Sequence, residues 1–265
     1  MTTYYSVSNY LPNQDDWTTN QYQILSELVH GNGDTLFERE DDHQVLAFPQ
    51  YKINDVKQLT GLDFEDDSFS SLIDYLNEMD NLGLYRDSVI GHGNSHGIRV
   101  AWLCKVVATM DRLPLNLTLI LVIAGLFHDV GRTWQNLDDQ FHGEKSYSRL
   151  AKALDSKEDD YLGITAKLNL ILYNALELSS PLSLKDIKLL RHIISVHSLD
   201  QHQKESYQKS HSLSKNNSFN RLTQIFDDCD ALDRVRFDGN LDIHFLNTKH
   251  AKSLIYYAKQ IQKIL

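Results

Sequence analysis

Apolar residues recur three and four positions apart along most of the chain, a spacing typical of helices that pack on a shared core. The pattern predicts helices over the ranges 20–30, 68–82, 93–111, 116–130, 142–154, 164–178, 183–198, 218–237 and 247–264. The chain has only 4 prolines and 12 glycines, which is consistent with long uninterrupted helices. We therefore expect an all-α helical bundle.

Two stretches of the chain depart from this regular pattern. Residues 1–60 carry acidic and polar clusters, and we predict a partly helical N-terminal extension of unknown role over 1–87, followed by one helical domain over 88–265. Within the extension, residues 45–53 are compatible with a strand or an irregular segment. Residues 199–217 are almost wholly polar, and we expect a solvated loop there, with a lid as the alternative.

Composition narrows the classes of partner. The 265 residues include 26 basic and 36 acidic side chains, a formal net charge of -10 that argues against long nucleic acid as a ligand. A small phosphorylated substrate remains compatible, because a bound metal can supply local positive charge. Two cysteines give no disulfide framework, and we expect a cytoplasmic protein. The longest apolar run, 117–127, is too short to span a membrane, and the oligomeric state stays open.

The adjacent residues His128 and Asp129 close that apolar run, and Gly131 and Arg132 follow them. Burying an imidazole and a carboxylate without partners is unfavourable by kilocalories. A bound metal ion would provide the missing partner, provided that other parts of the chain contribute further ligands.

Further helices direct metal-competent side chains toward the core. Helical phase places three of them on apolar stripes: His96, His197 and Asp230. His142 begins another predicted helix. Taken singly, each histidine is more often an ordinary core or surface residue, and Asp230 could equally pair with Arg234 or Arg236. Taken together, the imidazoles and carboxylates suit one or two divalent ions of Mn, Fe, Co, Ni or Zn, or Mg completed by water.

The order of these motifs along the chain is specific. They stand as His92-Gly-Asn-Ser-His96-Gly-Ile-Arg99, Leu126-Phe-His128-Asp129-Val-Gly-Arg132, His142-Gly143, Ile194-Ser-Val-His197 and Asp230-Ala-Leu-Asp233-Arg234-Val. Over about residues 88–265, this order resembles the HD superfamily of metal-dependent phosphohydrolases. The Asp-Ala-Leu-Asp-Arg-Val ending is most similar to a bacterial subgroup of that superfamily.

The resemblance implies an HD-type helical bundle and a ligand set. The four-ligand set of the superfamily falls here on His96, His128, Asp129 and Asp230. In members with two metals, His142 and His197 would be added, and Asp129 would bridge the ions. The implied reaction is hydrolysis of a phosphate monoester or diester of a small molecule, expected to be a nucleotide, by attack of a metal-bound water.

Several charged residues near these ligands are candidates for supporting roles. Asp129 and Arg132 are assigned to catalysis, Arg132 by holding a phosphate oxygen, and Glu144 joins them as a general acid or base. The candidates for substrate contact are His92, Arg99, Lys145 and His192. Arg132 could instead be a helix-end surface residue, and Glu144 could simply favour its helix N-terminus. His192 could equally lie on the surface.

Two other functions suit the same residues. A dinuclear iron oxygenase could use the same fold and the same nitrogen and oxygen ligands. A metal or nucleotide sensor could bind without turnover and signal through the N-terminal extension or the segment 199–217. A fold by itself does not choose among these functions.

Overall fold

The computed structural model describes residues 35–39, 45–63, 67–78, 93–132, 139–213, 216–237 and 241–264. Most of these residues are helical, which confirms the predicted all-α class. The helix predicted over 20–30 lies outside the described residues. No helix of the described ranges is both long enough and apolar enough to cross a membrane.

The strands and helices follow one another in a simple order. The strands are β1 (Thr35–Arg39) and β2 (Val45–Pro49). The α-helices are α1 (Ile53–Thr60), α2 (Asp67–Glu78), α3 (Asn94–Met110), α4 (Leu115–Phe127), α5 (His142–Ala153), α6 (Tyr161–Leu176), α7 (Leu184–Val196), α8 (Gln201–Ser210), α9 (Asn217–Leu232), α10 (Lys249–Ser253) and α11 (Ile255–Ile261). Two short 3-10 helices, Asp233–Arg236 and Ile243–Phe245, lie between α9 and α10.

The described residues fall into two compact units. One unit draws on the ranges Met1–Gly61 and Asp227–Leu265, and the other on Leu62–Phe226. The predicted division at residue 87 is not tested by this grouping and stays a prediction. In the first unit, β1 and β2 pair antiparallel with Thr35 opposite Pro49. The prediction of strand-like structure within 45–53 is thus correct for β2, whereas α1 and β1 were not predicted.

The larger unit is built around α4. Nine consecutive residues of this helix, 119–127, are buried, because α3 and α7 both pack against it. Helix α5 packs on α7, and α6 packs on α2 and α7. An apolar sequence without a polar face is what a helix surrounded on all sides requires.

The prediction of a solvated loop over 199–217 is wrong, because α8 lies in it. Asp200 and Gln203 start this helix by capping each other's backbone N–H groups, at 2.8 and 3.0 Å. None of the residues of α8 is buried, so apolar periodicity could not reveal it. Tyr207, one of its partly buried residues, packs on the cluster of Val196, Leu213 and Phe219.

The C-terminal helices are shorter than predicted. Helix α9 ends at Leu232 and continues as the 3-10 turn Asp233–Arg236, and the predicted helix 247–264 is divided at Leu254 into α10 and α11. The fully buried carboxylate of Asp228 accepts hydrogen bonds from the backbone N–H groups of Asn247 and Thr248, at 2.6 and 2.7 Å. These bonds fix the start of α10, where Thr248 is the capping residue.

Candidate metal centre

Five of the predicted ligands lie together in the unit Leu62–Phe226. They come from the first turn of α3, the end of α4, the start of α5 and the residue after α7: His96, His128, Asp129, His142 and His197. Their side chains are no more than 7% exposed. The sequence placed them on four different helices or helix ends, and the fold brings them into one buried cluster.

The first half of the cluster joins α3 to α4. The Nε2 atoms of His96 and His128 are 3.1 Å apart. The Oδ2 atom of Asp129 lies 3.6 Å from both of these nitrogens. Three ligand atoms therefore converge on one point.

The second half joins α5 to the end of α7. The Nε2 atoms of His142 and His197 are 2.8 Å apart. The other oxygen of Asp129, Oδ1, is 3.0 Å from the His142 nitrogen and 3.4 Å from the His197 nitrogen. Asp129 thus lies between two histidine pairs and presents a different oxygen to each.

Backbone carbonyls set the tautomer of three of the four imidazoles. The Nδ1 atoms of His128, His142 and His197 donate to the carbonyl oxygen of the residue three positions earlier, at 2.8, 2.6 and 2.7 Å. A neutral imidazole that carries its proton on Nδ1 has a lone pair on Nε2. Metal-binding histidines in proteins are commonly oriented by such a bond on the far nitrogen.

Burial keeps His197 in its neutral form. The pKa of His197 is lowered to about 4, chiefly by removal from water, and a hydrogen bond to Asp129, which favours the charged form, offsets this only in part. The neighbouring imidazoles of His128 and His142 add to the lowering of its pKa. His197 is therefore available as a lone-pair donor at neutral pH.

These features fit a metal ion. Two lone pairs that face each other at 2.8 Å repel, and a cation shared between the His142 and His197 nitrogens removes the repulsion. In each half of the cluster, two nitrogens and one carboxylate oxygen lie within 4.8 Å of one another. The donor set is that of Zn, Mn, Fe, Co or Ni rather than that of a cysteine-rich structural site. The buried groups could therefore hold a metal ion.

Glycines allow the helices to approach closely enough to form the cluster. A Cβ atom on Gly125 would lie 2.5 Å from the Cα atom of Ala101, where α4 crosses α3 near His128 and His96. A Cβ atom on Gly143 would lie 2.3 Å from the carbonyl oxygen of Ile194, where α5 crosses α7. Real Cβ atoms do not approach so closely, so only glycine permits these two crossings.

One aromatic ring closes the cluster on its inner side. The fully buried ring of Phe226 packs edge-on against His128 and His197, with centroid separations of 5.4 and 6.0 Å. An apolar wall of this kind excludes water and strengthens electrostatic interactions at the centre. Phe226 precedes Asp230 by four positions and shares its apolar stripe, but no local spacing indicates that it neighbours the histidines.

Two predicted arginines lie close to the ligands in the chain. The Nε atom of Arg132 donates to Oδ1 of Asp129 at 2.8 Å. Arg99 is buried one turn after His96 on α3. Arg132 thus orients the shared carboxylate, a contact that sequence reasoning did not anticipate.

The remaining candidates lie outside the cluster. Lys145 forms an ion pair with Asp139, and Glu144 is exposed. His192 accepts a hydrogen bond from the hydroxyl of Tyr207 at 2.8 Å.

Two candidates are not placed with respect to the cluster. His92 lies outside the described residues. Asp230 is partly buried on α9 and belongs to the other unit, so its role as a ligand stays a prediction.

Comparison of the chain with protein families, with curated proteins and with solved structures finds no match.

Proposed function

We propose that this chain is a metal-dependent phosphohydrolase that cleaves a phosphate ester of a small molecule, expected to be a nucleotide. The observation that carries the proposal is the position of Asp129 between two histidine pairs, with one carboxylate oxygen toward each. A carboxylate in this position can bridge two ions. Hydrolysis of phosphate esters is a characteristic use of two neighbouring metals.

The metal ions would supply a water of lowered pKa and would neutralise charge on the phosphoryl oxygens. The protein's own part is to position them. His96 and His128 would hold one ion, and His142 and His197 the other. Buried imidazoles held as one tautomer provide these donors without reorganisation, which is the condition for electrostatic stabilisation of a transition state.

Charge around the centre supports a phosphorylated substrate. The side chain of Arg132 is 21% exposed, and its Nε atom donates to the carboxylate of Asp129, so the guanidinium lies next to the position that a substrate phosphate would occupy. Arginine presents a planar fork of donors that matches phosphate oxygens. We assign Arg132 to both tasks.

The order of the motifs along the chain also supports this function, through the resemblance to the HD superfamily. The resemblance extends the ligand set to Asp230. An ion held by two imidazoles and one carboxylate oxygen has positions left for another ligand and for water.

The test begins with protein purified without chelators. Elemental analysis should find a divalent metal, and added Mn should support release of phosphate from a panel of phosphomonoesters and phosphodiesters. Asp129→Ala should lose bound metal and reduce turnover by more than about 100-fold, because loss of a residue that merely orients a ligand already costs 10–100-fold. Asp111→Ala is the matched control, since Asp111 forms an ion pair with Arg221 away from the cluster.

Three results would contradict the proposal. Unchanged hydrolysis by a folded Asp129→Ala protein would show that Asp129 is not part of the active site. Oxygen uptake with an iron-loaded protein, without phosphate release, would favour an oxygenase. Tight nucleotide binding without turnover at every metal tested would favour a sensor.

A further inference from the structure

A cavity of about 330 Å³ lies between α5 and α7. Glu144 lines it two residues after His142, and Ser195 lines it two residues before His197. Glu144 and Ser195 are thus near neighbours of the two ligands in sequence, although neither His142 nor His197 lines the cavity. Its volume lies at the lower end of the range for small-molecule sites.

One buried hydroxyl in the cavity wall lacks a partner. Tyr147 lines the cavity and is 1% exposed, and among the described residues its hydroxyl forms no hydrogen bond. Buried polar atoms in native proteins nearly always have a partner, supplied by protein, water or ligand. Burial also raises the pKa of Tyr147, so the hydroxyl stays neutral and can donate.

The charges that line the cavity balance. Two carboxylates, Glu144 and Glu158, stand with two cations, Lys145 and Arg191. Both cations already have partners, because Lys145 pairs with Asp139 and Arg191 donates to the hydroxyl of Tyr161 at 2.7 Å. Such a lining does not favour a phosphate group, which would meet two carboxylates.

An exposed aromatic ring stands at the same cavity. Phe141 precedes α5, lines the cavity and is 55% exposed. Exposed aromatic rings are the usual platforms on which nucleobases stack. Carboxylates such as Glu144 and Glu158 accept hydrogen bonds from sugar hydroxyls.

We propose that this cavity binds the nucleoside part of the substrate, with Phe141 against the base and the Tyr147 hydroxyl donating to an oxygen of the nucleoside. The orientation of the nucleotide, with its phosphate toward Asp129, rests on the proposed function. Binding of the nucleoside itself needs neither the metal nor turnover.

The test measures binding of phosphate-free nucleosides to the full chain, by ligand-detected NMR in the presence of a chelator. A panel of ribonucleosides and deoxyribonucleosides should contain at least one that binds the wild-type chain. Tyr147→Phe should weaken it by about three- to tenfold, the usual effect of one neutral hydrogen bond. Thermal stability should not fall, because this substitution removes a hydroxyl without a partner. Tyr173→Phe, on the exposed face of α6, is the control and should bind as the wild type does.

The outcomes separate this proposal from the proposed function. Failure of every nucleoside to bind would overturn the proposal that this cavity binds a nucleoside. Equal affinity in Tyr147→Phe, or displacement of the nucleoside by excess orthophosphate, would overturn it as well. Nucleoside binding that depends on Tyr147, in a protein without phosphohydrolase activity, would overturn the proposed function alone and leave the pocket.

Discussion

The Nε atom of Arg132 lies 2.8 Å from Oδ1 of Asp129, the same carboxylate oxygen that is 3.0 Å from Nε2 of His142. The carboxylate oxygen that accepts from the guanidinium is thus also the one nearest the imidazole nitrogen. The guanidinium fixes the carboxylate plane and thereby the direction of both oxygens toward the two histidine pairs.

Loss of this contact should weaken the centre without unfolding the chain. We expect Arg132→Gln to lower metal affinity or turnover by about 10–100-fold, the range found for residues that orient metal ligands. Arg132→Lys should recover little of the loss, because an ammonium retains the charge but not the planar geometry. Metal titration followed by fluorescence, with unfolding curves for each variant, provides the measurement. Wild-type affinity in Arg132→Gln would show that the carboxylate does not need this contact.

A methyl group at Gly143 should separate the second histidine pair. Its Cβ atom would lie 2.3 Å from the carbonyl oxygen of Ile194 and 3.1 Å from Nδ1 of His197. We expect Gly143→Ala to lower the free energy of unfolding by about 1–3 kcal/mol, the usual effect of overpacking, and to reduce the metal content. Chemical denaturation and elemental analysis measure the two effects.

Gly61→Ala is the matched control for Gly143→Ala. Gly61 has a φ of 72°, and no atom lies within 4 Å of the position of its Cβ. Its substitution should lower stability by about 1–2 kcal/mol through backbone strain alone and leave the metal content unchanged. Full metal content in Gly143→Ala would show that the α5–α7 crossing tolerates a shift.

Acidification should loosen α8 through His192. Burial, together with electrostatic repulsion from His211, Arg191 and Lys188, lowers the pKa of His192 to about 4. Its pKa in the unfolded chain is about 6.5. Between these values the unfolded chain binds a proton that the folded chain does not, so stability falls as the pH drops from about 6.5 toward about 4. His197 contributes in the same direction.

The measurement is hydrogen exchange along α8 at a pH of about 7 and of about 5, where the linkage differs most. The protection factors of the α8 amides, which correct for the slower intrinsic exchange at lower pH, should fall at the lower pH, because protonation of the buried His192 disfavours the packing of Tyr207 against it. His192→Gln should reduce the difference between the two conditions. His202→Gln, at an exposed position of α8, should not. Protection of α8 that is equal at both values of pH would contradict the prediction.

Local periodicity explains what the sequence could predict. The inward direction of His96 follows from its spacing to Val100 and Leu103, both fully buried, because residues four and seven positions apart share a helix face. The same reasoning applied to His197, whose side chain is 3% exposed. Such spacing determines a direction relative to one helix axis and nothing more.

The pairing of the ligands depends on contacts between distant helices. That His142 meets His197, and not His96, results from the crossing of α5 and α7 at Gly143, which no local pattern encodes. The missing hydrogen-bond partner of Tyr147 is likewise a property of packing. Helix α8 was not predicted, because it is stabilised by its cap and by the contact of a single tyrosine and has no apolar stripe.

Positions at the glycine crossings tolerate substitution less than positions that line the cavity. At Gly125 and Gly143 the neighbouring backbones leave no room for any other side chain, so a larger residue cannot be accommodated there. Phe141 and Glu158 are exposed, and their replacement disturbs no such crossing. Descendants of this sequence, or a laboratory selection, would therefore be expected to diverge in the molecule they recognise while inheriting the ligand geometry intact.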